Sequence, residues 1–165
     1  YMILGQHCFL DKATHSLVFY GQLPDKKQAT RMYVNDLISG MKSHNFIYVA
    51  HPDLFMQWYG KWDSFAEDMA KEIIECAKKE RIILEINMGP SRWGRRTEGK
   101  DFEVAYPNEE FWHLVKEYDL PCIIGVDNHR PWELETSPYD WVRRFVKRHH
   151  LMPLTSLKLP FHKPE

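Results

Sequence analysis

Three short apolar runs, Phe46 to Ala50, Ile82 to Asn87 and Cys122 to Val126, alternate with longer amphipathic segments, and this alternation constrains the fold more than any other feature. Each run is too short for a helix and rich in β-branched or aromatic residues, as expected of a parallel strand covered on both faces. Within Asp25 to Asn45, the apolar residues Met32, Tyr33, Val34, Leu37, Ile38 and Met41 recur at three and four, the spacing of a helix with one buried face. Ser64 and Glu67 make a capping box ahead of Phe65, Met69, Ile73, Ile74 and Ala77, which predicts a helix reaching Glu80. Asn108 can cap a helix that buries Phe111, Leu114, Val115 and Tyr118 and is closed by Pro121. Ser137, Pro138 and Asp140 then supply an N-cap, a first-turn proline and a first-turn acid for a last helix running to His149. The opening YMILG reads as a further strand. Strands alternating with helices predict an α/β domain with a parallel sheet, and the absence of a sequence repeat excludes a solenoid.

Composition agrees with one domain spanning residues 1–165: the chain is 44% hydrophobic and 27% charged, enough for a core and unlike a disordered linker. Lysine plus arginine number 22 against 23 acids, so the net charge of -1 provides no global field toward nucleic acid or an anionic membrane. No apolar run approaches the roughly 20 residues of a bilayer span, and the start lacks the features of a signal peptide. The expectation is a soluble, cytoplasmic protein. Cys8, Cys76 and Cys122 are odd in number and form no C-x-x-C pair, which favours a reducing compartment and buried thiols. Tyr1 is no initiator methionine and its strand has no turn before it, so the chain is expected to be a fragment. Four parallel strands cannot close a barrel, and the Tyr1 strand should form an open edge.

Parallel α/β folds bind ligands where loops leave the carboxyl ends of strands. His7 follows YMILGQ, His51 follows FIYVA, and Asp127 and His129 follow CIIGV, so four potential ligands fall at the ends of three predicted strands. Taken singly, each reads more readily as a hydrogen-bonded structural residue than as a ligand. Their coincidence points to a metal site, and imidazole with carboxylate suits zinc, manganese or iron. His15, His44, His113, His149, His150 and His162 sit on loops, helix faces or the tail and read as solvated or structural.

GQH after a strand, AHPDLF, LEIN, the helix YPNEEFWHLVKEY and GVDNHRP occur in an order that resembles the polymerase and histidinol phosphatase family, most of all its histidinol-phosphatase branch. The likeness runs from Tyr1 to Leu134. It implies the carboxy-terminal part of a distorted seven-stranded βα barrel that holds up to three divalent metal ions and hydrolyses phosphate esters. By position, His7 and His51 resemble ligands of one metal, Asp127 of a second and His129 of a third, with Asp127 and His129 at the catalytic centre. The family's H-x-H pair, further histidines and bridging glutamate precede the position of His7, so the site is incomplete here and the rest is expected from an amino-terminal part of the same polypeptide.

An anionic ester needs cationic grips, and Arg92, Arg95 and Arg96 follow the LEIN strand on the same rim. Arg92 and Arg95 are the candidates for substrate phosphate, Arg96 and Arg130 weaker ones, and a solvated loop is the plain alternative. Glu85 and Asn87 share one side of their strand and read as supports behind the ligands. Trp58, Trp62, Trp93 and Trp132 flank the rim and could pack on an imidazole-bearing substrate, or be core. Arg143, Arg144, Lys147 and Arg148 read as the wet face of the last helix. The expected activity is histidinol-phosphatase on a small phosphorylated substrate. Action on nucleic-acid ends and a catalytically inert module are the alternatives.

Overall fold

The structure, a computed structural model, describes residues 2–92, 104–136 and 139–157. Strand β1 (Met2–Leu4) leads into a hairpin of β2 (Cys8–Asp11) and β3 (Ser16–Phe19), then a 3-10 turn at Tyr20–Gln22 and helix α1 (Lys26–Lys42). Strand β4 (Phe46–Val49), the single-turn α2 (Met56–Tyr59), helix α3 (Ser64–Glu80) and strand β5 (Ile83–Asn87) follow. A 3-10 turn at Gly89–Arg92 precedes α4 (Glu109–Glu117), β6 (Cys122–Gly125), α5 (Glu133–Thr136) and α6 (Tyr139–Arg148).

The main sheet has the order β1-β4-β5-β6, every pair parallel, so sequential βα units lie side by side in one arc. Register is set by Leu4 opposite Val49, Val49 opposite Leu84, and Asn87 opposite Gly125. All four carboxyl ends therefore share one rim. Strand β1 lies at an edge, with Met2 and Ile3 exposed, and the four described strands do not close.

The buried stripe of α1 (Tyr33, Val34, Leu37, Met41) and that of α3 (Met69, Ile73, Ile74, Ala77) join Val49, Leu84 and Ile86 of the sheet in one core. Phe111, Trp112, Trp141 and Phe145 extend it under α4 and α6. No described helix is long and apolar enough to cross a membrane.

Two local readings change. Helix α3 is capped by Asp63, whose carboxylate accepts from the Ala66 N–H, so Ser64 is the first helical residue and no cap. Aspartate in extended backbone one residue upstream outcompetes the serine because it is the stronger acceptor for the exposed helix N–H groups. The hairpin β2–β3 was not expected: its strands are short, and its turn is made by Asp11, which accepts from Ala13 N at 2.9 Å and Thr14 Oγ1 at 2.8 Å. The expected cap at Ser137 and Pro138 lies outside the described residues.

Candidate metal centre

The rim is built where β1, β4, β5 and β6 end. Past β1, His7 is exposed; past β4, His51 is only 4% exposed, and their rings stand 4.6 Å apart between centroids. His51 has φ 35°, in the left-handed region, which turns the chain sharply out of the sheet. Its backbone N–H donates to Glu85 Oε2 at 3.1 Å, while its ring Nδ1 is buried with no hydrogen-bond partner. Burial, helped by the neighbouring His7, pushes its pKa down to about 4. The ring is therefore a neutral imidazole, the form that binds a metal.

Glu85 and Asn87, both buried and on one side of β5, tie the middle of the rim together. Asn87 Nδ2 donates to Glu85 Oε2 at 2.9 Å, and Asn87 Oδ1 accepts from Gly89 N at 2.8 Å. Burial raises the Glu85 carboxyl above the ordinary glutamate range, opposed by the Asn87 and His51 hydrogen bonds and reinforced by the charge of Asp127. The carboxylate needs room on the neighbouring strand: a Cβ placed on Gly125 would stand 1.7 Å from Glu85 Oε1. Glycine at that position is what lets Glu85 lie across β6.

Asp127, at φ 49°, brings Oδ2 to 2.7 Å from where a Cβ on Gly89 would stand, beside Asn87 Oδ1. A continuous line of neighbours thus runs from His7 through His51, Glu85 and Asn87 to Asp127. His129 shares the loop but is exposed, with Nδ1 3.0 Å from the Asp127 carbonyl oxygen and its backbone N–H donating to Glu133 Oε2. Among the described residues, no three of His, Cys, Asp or Glu are grouped tightly enough to hold a metal ion.

Arg92 closes the 3-10 turn on this rim. Its side chain, together with Trp93, Arg95 and Arg96, lies outside the described residues. Arg130 sits over the exposed Trp132 ring at 5.4 Å. Trp58 lines a cleft that includes His7, whereas Trp62 lines a different one, on the outer face of α4. Cys8, Cys76 and Cys122 are free thiols.

One polar residue of the rim escaped the sequence reading. Asp53, fully buried, accepts from Asn108 N at 2.7 Å and Trp112 Nε1 at 3.1 Å, pinning the start of α4 to the loop after β4. Burial pushes its pKa up to about 7 against those two hydrogen bonds. Its only sequence signal was its place in AHPDLF, two residues after His51.

No protein-family model and no curated protein matches the chain. Solved structures that resemble its fold include two histidinol phosphatases. One is the histidinol phosphate phosphatase of Lactococcus lactis in complex with zinc, L-histidinol and phosphate, at 19% identity and a TM-score of 0.55 over 82% of this chain and 51% of that one. The other, from Listeria monocytogenes and assigned as a histidinol phosphatase, has 12% identity and a TM-score of 0.56 over 80% of this chain and 56% of its own. The likeness shows the fold alone, and the chain spans about half the length of these structures.

Proposed function

We propose that this chain forms part of a metal-dependent phosphomonoesterase that converts histidinol phosphate to histidinol and phosphate. The observation that carries the reading is the buried, neutral His51 ring, with an unpartnered nitrogen, packed against His7 on the carboxyl rim of a sheet shaped like those of histidinol phosphatases. The donor chemistry fits a divalent ion, because a neutral imidazole and a carboxylate are ligands for zinc, manganese or iron. His7 and His51 would hold one ion, Asp127 a second and His129 a third, the remaining ligands coming from residues other than these. When bound, such ions lower the pKa of water and neutralise charge on phosphate oxygens.

The chain's own contributions are positional. Glu85 fixes the His51 backbone, Asn87 fixes Glu85, and the Gly89 N–H fixes Asn87, so the donors are held before anything binds. Arg92 and Arg95 would grip the phosphate. The substrate is a small phosphorylated alcohol in the cytoplasm, in keeping with three free thiols.

Phosphate release is the test, in the polypeptide that supplies the full ligand set, with Mn²⁺ or Zn²⁺ and histidinol phosphate. Asp127→Ala should lower kcat on the order of a hundredfold or more, and Arg92→Ala should act mainly through KM. Full activity of Asp127→Ala would sink the reading. Cleavage of oligonucleotide ends with no action on histidinol phosphate would move it to the nuclease branch, and no hydrolysis of either would leave an inert module.

A further inference from the structure

The main sheet does not by itself place His7. Strand β1 ends at Leu4, the hairpin begins at Cys8, and the three residues between them belong to no strand or helix. A short surface link of this kind is mobile unless something ties it down. Yet the His7 and His51 rings lie over one point: a Cβ on Gly5 would stand 3.7 Å from His7 Nε2 and 3.9 Å from His51 Nε2. The tie comes from Gln6. Its Nε2 donates to the Cys8 carbonyl at 2.9 Å and to the Tyr20 hydroxyl at 2.6 Å. A carbonyl only accepts, so the group facing Cys8 is the amide NH₂, and both of its hydrogens are used. One bond brackets His7, from residue 6 to residue 8; the other anchors the link to a fully buried side chain.

Tyr20 in turn has its proton committed. Its hydroxyl donates to Asp36 Oδ2 at 2.5 Å, which leaves its lone pairs for Gln6. Burial, reinforced by the Asp36 hydrogen bond, raises the hydroxyl above the ordinary tyrosine range, so it stays protonated. The ring is wedged among Phe9, Tyr33 and Trp58, at 5.4, 5.6 and 6.1 Å between centroids. Three residues before Asp36, and so beside it on α1, Tyr33 directs its own hydroxyl at the His51 and Pro52 carbonyls, 3.2 and 3.1 Å away. Helix α1 thus holds both histidine loops, one directly and the other through Tyr20 and Gln6.

We infer that Gln6, Tyr20 and Asp36 are positioning residues: the chain of hydrogen bonds from Asp36 through Tyr20 to Gln6 sets the His7 ring against His51 before any metal binds. The placement rests on those bonds, and its use rests on the proposed metal reading. None of the three is a proposed ligand; each acts through the backbone of His7.

The ring pair can be read with no metal and no turnover, so the two readings fail separately. In the chelator-treated chain, the histidine ring protons are assigned by their loss in His7→Ala and His51→Ala, and the 4.6 Å separation of the rings should give a nuclear Overhauser peak between them. Tyr20→Phe, which keeps the buried ring, and Gln6→Met, which keeps the length without the donors, should each lose that peak. Asp36→Asn, which retains an acceptor oxygen, should keep it. In the polypeptide that supplies the full ligand set, competition with a chromophoric chelator should show zinc held about tenfold more weakly in Tyr20→Phe and in Gln6→Met, and no more weakly when the two are combined, because both break one chain. A missing peak in the unsubstituted chain, a peak undiminished in both single variants, or additive losses on combining them would overturn the inference. So would unchanged zinc affinity in both where His7→Ala weakens it. Zinc affinity indifferent to His7→Ala, with the ring peak behaving as expected, would count against the metal reading alone.

Discussion

His51 and His149 are both tucked-in imidazoles near a glutamate, and the two glutamates do opposite things. On the outer helical face, Glu109 at the start of α4 meets the His149 ring directly and also accepts from Arg148 Nη2 at 2.6 Å, clipping the end of α6 to α4. On the rim, Glu85 takes the His51 backbone N–H and leaves ring Nδ1 unpartnered. The first arrangement consumes the imidazole's bonding capacity in structure; the second holds the main chain still and keeps the ring available. Burial alone does not distinguish an available ring from a clip: the place where the carboxylate is spent does.

The largest effect expected from this contrast is on metal affinity. Competition with a chromophoric chelator should show zinc binding weakened by about tenfold to a hundredfold or more in His51→Ala and unchanged in His149→Ala. Equal losses would erase the distinction. Next comes Gly125→Ala, which has no room for its methyl group unless Glu85 leaves its position and releases His51. Overpacking of this kind costs about 1–3 kcal/mol, readable by urea unfolding. His149→Ala should cost less, about 0–1 kcal/mol, because its partner Glu109 is half exposed. A reversed order of these two would mean that the helix clip, and not the rim, organises the domain.

The smallest effect concerns a carboxylate spent on neither histidine. Lys61 Nζ, 2.9 Å away, and the Ala66 N–H hold the Asp63 carboxyl down to about 2. A depressed folded pKa adds stability above the unfolded value, near pH 4, and that stability is lost as pH falls toward about 2. Thermal melts between pH 5 and 2 should therefore lose a small acid-dependent component in Asp63→Asn. An unchanged acid limb would show that the cap does not titrate.

Much of this was legible because periodicity is a local property. Helix α1, strands β4, β5 and β6 and the Asn108 cap fall within a residue or two of the spacing-based reading. The strand-end rule placed His51 and Asp127 on one rim for the same reason: each follows an apolar run directly. What escaped depends on register between distant segments. That Glu85 lies across Gly125, or that Asp53 receives Asn108 and Trp112 from beyond the next strand, leaves no trace in either local pattern. The hairpin β2–β3 was missed because Leu10 and Leu17, paired across it, are exposed, so the usual inward-apolar, outward-polar alternation is absent.

Asp127 keeps a side chain where the backbone would prefer none. At φ 49° an L-residue carries a conformational cost of about 1–2 kcal/mol that glycine escapes. Two truncations of the same carboxylate should therefore part ways: Asp127→Gly relieves the turn, whereas Asp127→Ala keeps its strain, and the glycine variant should unfold at the higher temperature although both lose the same carboxylate. A turn that glycine would make with less strain is held here by an aspartate, so the side chain at this position is kept at the expense of the backbone.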